Sequence, residues 1–225
     1  MTQPTTETVA PTVDPGEPRM RRVPQQERSR RRVEAILDAA ARIVVAEGVD
    51  AVGTRSIADL AGVPVASLYQ YFADKDDILL ALVERDIAEM DQRVGERVGA
   101  LKRISLESLV EATIAAFTEV YAERPAFVMI YLRGRTNQAI RDYGRDHNRK
   151  VAAMLFGFAA DLGLTVPEVT VLIAELAVEM GDRLFQLAYE ETLDGDPAII
   201  NEAVIVITTY LERYATPAGL TGVEV

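Results

Sequence analysis

Thr54, Arg55, Tyr69, Gln70, Tyr71 and Lys75 fall within the single stretch 54–75, TRSIADLAGVPVASLYQYFADK. Their side chains suit a polyanion that carries bases. Phenolic hydroxyls such as those of Tyr69 and Tyr71 donate to phosphate oxygens, and contacts of that kind set register rather than sequence. The Arg55 guanidinium matches the edge of guanine, and the Gln70 carboxamide matches that of adenine. Lys75 stands where a helix should begin, and a helix N-terminus itself attracts phosphate. Upstream, residues 19–32 hold seven arginines against one acid, Glu27. Within that arm Arg28, Arg30, Arg31 and Arg32 are placed to meet phosphates or an adjacent minor groove. Catalytic chemistry is poorly supplied. Cysteine is absent and His147 is the only histidine, so thiolate chemistry, disulfides and a histidine-cluster metal site are excluded. No Ser-His-Asp, metal or phosphate-loop signature occurs. We therefore expect no catalytic residue, no metal and no cofactor.

The elements that position these residues follow from periodicity. Ile57, Leu60 and Ala61 recur at i, i+3 and i+4, which predicts one buried face of a short helix. Gly62 follows, where a helix ending in a left-handed residue would place glycine. Pro64 suits the first turn of a second helix, predicted over about Val65 to Tyr71. Ala58 is small where two helices would cross closely, and Val63 and Leu68 supply apolar packing. This is a helix-turn-helix, whose second helix enters the DNA major groove. Asp74 then caps a further helix, with Asp77 three residues on, an acidic variant of the capping box. Thr54 is open to two readings, a contact or a cap of its own helix. Val65, Ala66 and Ser67 open the reading helix, and Val65 either touches thymine methyl groups or packs inward.

The stretches TRSIADLAGV, LYQYF and DKDDILLAL resemble the DNA-binding domain of the tetracycline-repressor (TetR) family. RRVEAILDAAARIVVAEG resembles that family's first helix, so the likeness spans roughly residues 24 to 85. It implies DNA contacts at Thr54, Arg55, Val65, Ala66, Ser67, Tyr69, Gln70, Tyr71 and Lys75. Family members often carry Ser or Thr at the position of Pro64 and a polar residue at that of Val65. Apolar contact with thymine methyls is the natural replacement here. The resemblance further implies a helical effector domain enclosing a ligand pocket, and dimerisation through the last two long helices.

The rest of the chain reads as helices throughout. Residues 1–20 form a Thr, Pro and Glu-rich tail expected to be disordered. The first helix should start near Pro24 and end at Gly48. Another should run from Asp74 to about Lys102. Beyond it we expect helices from Ser105 to Pro125, over 126–132, 136–162, 167–191 and 198–214, and a loose tail over 216–225. AVIVI at 203–207 alone would pass for a buried strand, but its flanks favour helix. The fold class is thus all-α, with about nine helices. A helix-turn-helix domain over 21–75 precedes a ligand-binding and dimerisation domain over 76–215. The helix over 167–191 is apolar on most sides and needs burial on two of them. Aromatic wall candidates for a ligand are Phe117, Tyr121, Phe127, Tyr131, Phe156, Phe185 and Tyr189, each of which would serve equally as core. Arg141, Arg145 and Arg149 share one helix face, as do Glu175, Glu179 and Asp182. Either these stripes pair with each other, or Glu175 or Glu179 faces the pocket and binds a cationic or hydrogen-donating ligand. His147, within RDHNRK, reads as a surface residue.

With 225 residues, 49% of them hydrophobic, a substantial core is available. The formal net charge of −11 does not oppose DNA binding. The positive excess is concentrated in the arm, and the Debye length at physiological salt is only about 8 Å. No apolar run is long enough to span a membrane, and no signal peptide is evident, so a cytoplasmic protein is expected. The expected function is a homodimeric one-component transcription regulator, a repressor bound to a near-palindromic double-stranded DNA operator and released by a small-molecule effector. The alternatives are a DNA-binding adaptor or architectural protein without a ligand, and an enzyme with a helical catalytic domain.

Overall fold

The computed structural model describes residues 27–134 and 137–225. The N-terminal tail, the arm up to residue 26 and the expected helix start at Pro24 lie outside the described residues. So does Thr136, where the seventh helix was expected to open.

The chain is all-α, with ten α-helices and two very short strands among the described residues. Helices α1 (Glu27–Glu47), α2 (Thr54–Ala61) and α3 (Val65–Leu68) form the head. Helix α4 (Lys75–Gly99) leads from it into the body. There α5 (Leu106–Glu123) is followed by α6 (Pro125–Phe127), which runs on as a π-helical stretch, Val128–Arg133. Helices α7 (Gln138–Asp161), α8 (Val171–Ala188) and α9 (Pro197–Glu212) complete the bundle.

In the head, Gly62 takes φ 66° and ψ 32°. This left-handed conformation suits a residue without Cβ and closes α2. Pro64 is the N-cap of α3 rather than its first helical residue. The face of α2 differs from the expectation. Ile57 and Ala58 are fully buried, whereas Leu60 is 41% exposed. At 100° per residue the buried arc is centred between Ile57 and Ala58, with Ala61 beside it, and Leu60 falls outside. Helix α3 is a single α-turn. Tyr69 N still bonds to Val65 O, but Gln70 N and Tyr71 N bond three residues back, to Ser67 O and Leu68 O. The two-turn helix expected to Tyr71 thus tightens after Leu68. Asp74 caps α4, its Oδ1 accepting from Asp76 N and Asp77 N. The Asp77 carboxylate in turn accepts from Ala73 N, one residue before the cap.

The predicted loose tail is ordered. Helix α10 (Pro217–Thr221) and β2 (Val223–Glu224) return to the start of α5, and β2 pairs antiparallel with β1 (Arg103–Ile104). Arg103 donates to the carbonyls of Thr221 and Gly222 and to the Glu224 carboxylate. Thr216 caps α10 through Gly219 N and donates its hydroxyl to Gly163 O. Pro167 lies ahead of α8, which starts at Val171. The α7–α8 loop is held instead by Val166 N to Tyr214 O and Thr216 N to Leu164 O.

The main core runs without a break from Val33 of α1 through Ile78–Val83 of α4 to Phe185 and Ile207. A second cluster packs Val94 and Val98 against Ile104, Leu109 and Leu164.

Candidate nucleic-acid interface and interior cavity

The head presents α3 and its following turn outward. Ala66, Tyr69 and Gln70 are exposed, as is Arg55 on α2. Thr54, Val65, Ser67 and Lys75 are half-buried. Val65 packs on the edge of the head core, so its methyls are shared between inside and outside. Thr54 makes no cap bond, since Gly53 is the N-cap. Its hydroxyl lies 3.2 Å from that of Tyr69. That contact ties the start of α2 to the end of α3 and orients the Tyr69 ring. Tyr71 stands apart from the other candidates. Its ring is buried, and its hydroxyl meets Ser29 Oγ at 2.6 Å, so it fixes α1 against the reading turn from within the core. On α1, Arg28, Arg30 and Arg31 are exposed and Arg32 is half-buried. Arg30 and Arg31 both hold Glu27, at 2.8 and 3.0 Å, which keeps the Glu27 carboxyl below the usual range. Exposed pairs of this kind are weak and exchange readily for phosphate.

A chain of ion pairs connects head and body. Arg85 of α4 reaches Glu34 (3.2 Å) and Asp38 (2.8 Å) of α1, and Asp86 (3.1 Å) beside it. Asp86 is 1% exposed, with Arg124 at 3.9 Å on its other side. Arg124 bonds Glu89, and Glu89 also holds Arg93. Burial pushes the Asp86 carboxyl above its ordinary range, despite Arg85 and Arg124.

The body holds a cavity of about 160 Å³ between α4, α5, α7, α8 and α9. Of the sequence-based candidates, Phe117, Tyr121, Tyr131, Phe156 and Phe185 line it. Phe127 and Tyr189 do not. They form a second row, with ring centroids 5.8 and 5.0 Å from that of Tyr121. Glu175 is not in the wall either. Glu179 lines a separate outer cavity with Arg141 and Arg145. The charge stripes pair largely within their own helices, Arg145 with Asp142 and Arg149 with Asp146. Across the helices, Glu179 accepts from Asn148 at 3.4 Å. Asp182 was placed in a stripe, yet it lines both cavities.

His147 corrects a surface reading. Its side chain is 13% exposed, lines the main cavity, and sets Nε2 3.3 Å from Asp91 Oδ1 of α4. The signal was available. Tyr143, His147 and Val151 recur every four residues, and Val151 is buried. The charges of RDHNRK belong to the other faces of α7. Among the described residues there is no cluster of acids and histidine fit to hold a metal, and no helix long and apolar enough to cross a membrane.

Comparison with known proteins agrees with this architecture. Residues 36–82 match the family model described as bacterial regulatory proteins, tetR family. Residues 104–215 match that of the tetracyclin repressor-like C-terminal domain. The chain is 26% identical over 191 residues to the HTH-type transcriptional regulator Rv1255c of Mycobacterium tuberculosis H37Rv, covering 85% of this chain and 92% of that protein. It is 33% identical over 116 residues to the HTH-type transcriptional repressor KstR of the same organism, covering 44% of this chain and 52% of that one. A solved TetR-family transcriptional regulator from Streptomyces coelicolor superposes with a TM-score of 0.67 at 28% identity, over 81% of this chain and 99% of that one. Proteins of this kind are DNA-binding transcription factors, not enzymes. With a helix-turn-helix head and a helical C-terminal body each matched by its own model, the chain belongs to the TetR family of transcriptional regulators.

Proposed function

We propose that this regulator is a homodimeric repressor that binds a near-palindromic operator through α3 and is released when a small molecule fills the cavity. The observation that carries the reading is the pairing of an outward reading turn with a largely apolar cavity in one continuous core. An adaptor without a ligand has no use for such a cavity. Thr54, Arg55, Val65, Ala66, Ser67, Tyr69, Gln70 and Lys75 are the proposed contacts, joined by the arginines of α1. Tyr69 and Lys75 grip phosphate. Arg55 and Gln70 read base edges, and Val65 and Ala66 meet thymine methyls. The kinship with KstR, a named repressor, supports repression over activation.

Dimerisation is supported by an unpartnered stripe. Leu172, Leu176 and Leu187 of α8 are exposed, at spacings that put them on one face, and Ile205 and Val206 of α9, which packs against α8, are exposed too. Large apolar side chains left in water along two packed helices mark an association surface. The cavity lies against α4 through Ile87 and Met90, and α4 holds α1 through Arg85. An occupant that shifts α4 therefore turns the head. Selection of bound DNA from a random pool tests the reading. It predicts two inverted half-sites one helical turn apart. Recovery of no preferred sequence would overturn it.

A further inference from the structure

The cavity wall is largely apolar, and most of the polar groups in it are already engaged. Thr113 donates to Leu109 O and Asn148 to Glu179, and the Tyr214 ring packs edge-on against that of Tyr210. Two groups are not. Tyr121 is 3% exposed, is clamped by the rings of Phe117, Phe127, Phe185 and Tyr189, and its hydroxyl makes no hydrogen bond among the described residues. His147 faces Asp91 with Nε2, and its Nδ1 likewise has no partner among them. In the neutral ring with its proton on Nε2, facing the acceptor carboxylate of Asp91, Nδ1 is an acceptor. Among the described residues the only sealed side-chain polar atom lacking a partner is Thr208 Oγ1. The Tyr121 hydroxyl and His147 Nδ1 therefore keep open surface, and both residues line the cavity.

We propose that the effector is a compact, largely apolar molecule of about one ring in size that carries a hydroxyl, received by Tyr121 and His147. The inference rests on the ligand-release reading above and names the ligand class. The size follows from the volume, about 160 Å³, since an apolar cavity of roughly 150 Å³ admits benzene. A hydroxyl answers the two open groups with a single atom, accepting from the phenol and donating to the imidazole nitrogen. Burial holds the Tyr121 phenol well above its ordinary range, so it stays a neutral donor. A bare hydrocarbon would leave both polar groups dry and unpaired, which is costly. His147 also makes the site informative to the protein. The residue that receives the ligand is the one that touches α4 at Asp91.

The test uses 4-ethylphenol and ethylbenzene, which share a shape and differ by the hydroxyl. Affinities are measured by calorimetry on the full chain without DNA, for wild type, Tyr121→Phe and His147→Leu, with the fold of each checked by circular dichroism. The wild type should prefer the phenol by about tenfold, and each variant should lose most of that preference. Tyr121→Phe deletes only the hydroxyl, so it remains interpretable if His147→Leu fails to fold. Equal binding of the two probes, binding of neither, or an unchanged preference in Tyr121→Phe would overturn the proposal. Operator affinity measured in parallel without ligand separates this outcome from failure of the DNA-binding reading.

Discussion

Asp86 shows how a single residue is placed under tension by its position. It is almost fully buried between Arg85 and Arg124, and desolvation outweighs both cations, raising its proton affinity above that of a free carboxylate. The folded chain therefore holds this proton more tightly than the unfolded chain does. Its contribution to stability is complete below the ordinary carboxylate value and is lost as pH rises through the raised one. Asp86→Asn carries no such proton. The stability of wild type relative to Asp86→Asn should fall as pH rises through the acid range, by at most about 1.4 kcal/mol per pH unit, and then level off. Urea unfolding of both proteins across pH checks this, and a difference growing with pH would show that the arginines win over burial. Asp86 was not legible as a site. Its neighbours in sequence, ERDIAEMD, read as an ordinary charged helix face, and only the arrival of α1 and Arg124 makes it interior. His147 failed for a related reason. Charges around it in sequence do not lie around it in space.

At the scale of elements, local chemistry was the readable part. Gly62 in a left-handed conformation and Asp74 as a cap act within one turn of their own position, whereas Ser105 and Pro125, read only as the bounds of one helix, prove to be the cap of α5 and the opening of α6. The C-terminal clasp was not readable, because two-residue strands carry no periodicity and their partners lie more than a hundred residues away. The clasp is nonetheless tightly built. A Cβ on Gly219 would sit 2.0 Å from Leu164 O, a backbone atom, whereas one on Gly157 of α7 would meet nothing within 4 Å. Gly219→Ala should therefore cost about 1–3 kcal/mol, by overpacking. Gly157→Ala should gain up to about 1 kcal/mol from helix propensity. Thermal unfolding of the two variants beside the wild type reads both signs at once. The apolar stripe of α8 was legible as a surplus, since one helix cannot bury two faces in one core. Leu176→Asp places a charge on that stripe without entering the cavity, and sedimentation should show a monomer for the variant and a dimer for the wild type.

For the whole molecule, charge is divided by task. The net −11 is that of the whole chain, so the chain outside residues 19–32, where seven arginines meet one acid, is more acidic still. Binding should therefore weaken steeply with salt even though the protein is acidic. Neutralising Arg28 should lower the salt slope by about one, leaving the preferred sequence unchanged. The proposed coupling between sites would run along α4, which touches the cavity at Ile87 and Met90, His147 at Asp91, and the head at Arg85. All of this has a purpose only if two heads are held at a fixed spacing. The most direct test titrates the selected duplex with the protein and determines stoichiometry and footprint together. Two chains should bind each duplex cooperatively, protecting two half-sites about 34–36 Å apart. Leu176→Asp should bind at least tenfold more weakly. Tight, sequence-specific binding of one chain to one half-site, unaffected by Leu176→Asp, would contradict the account.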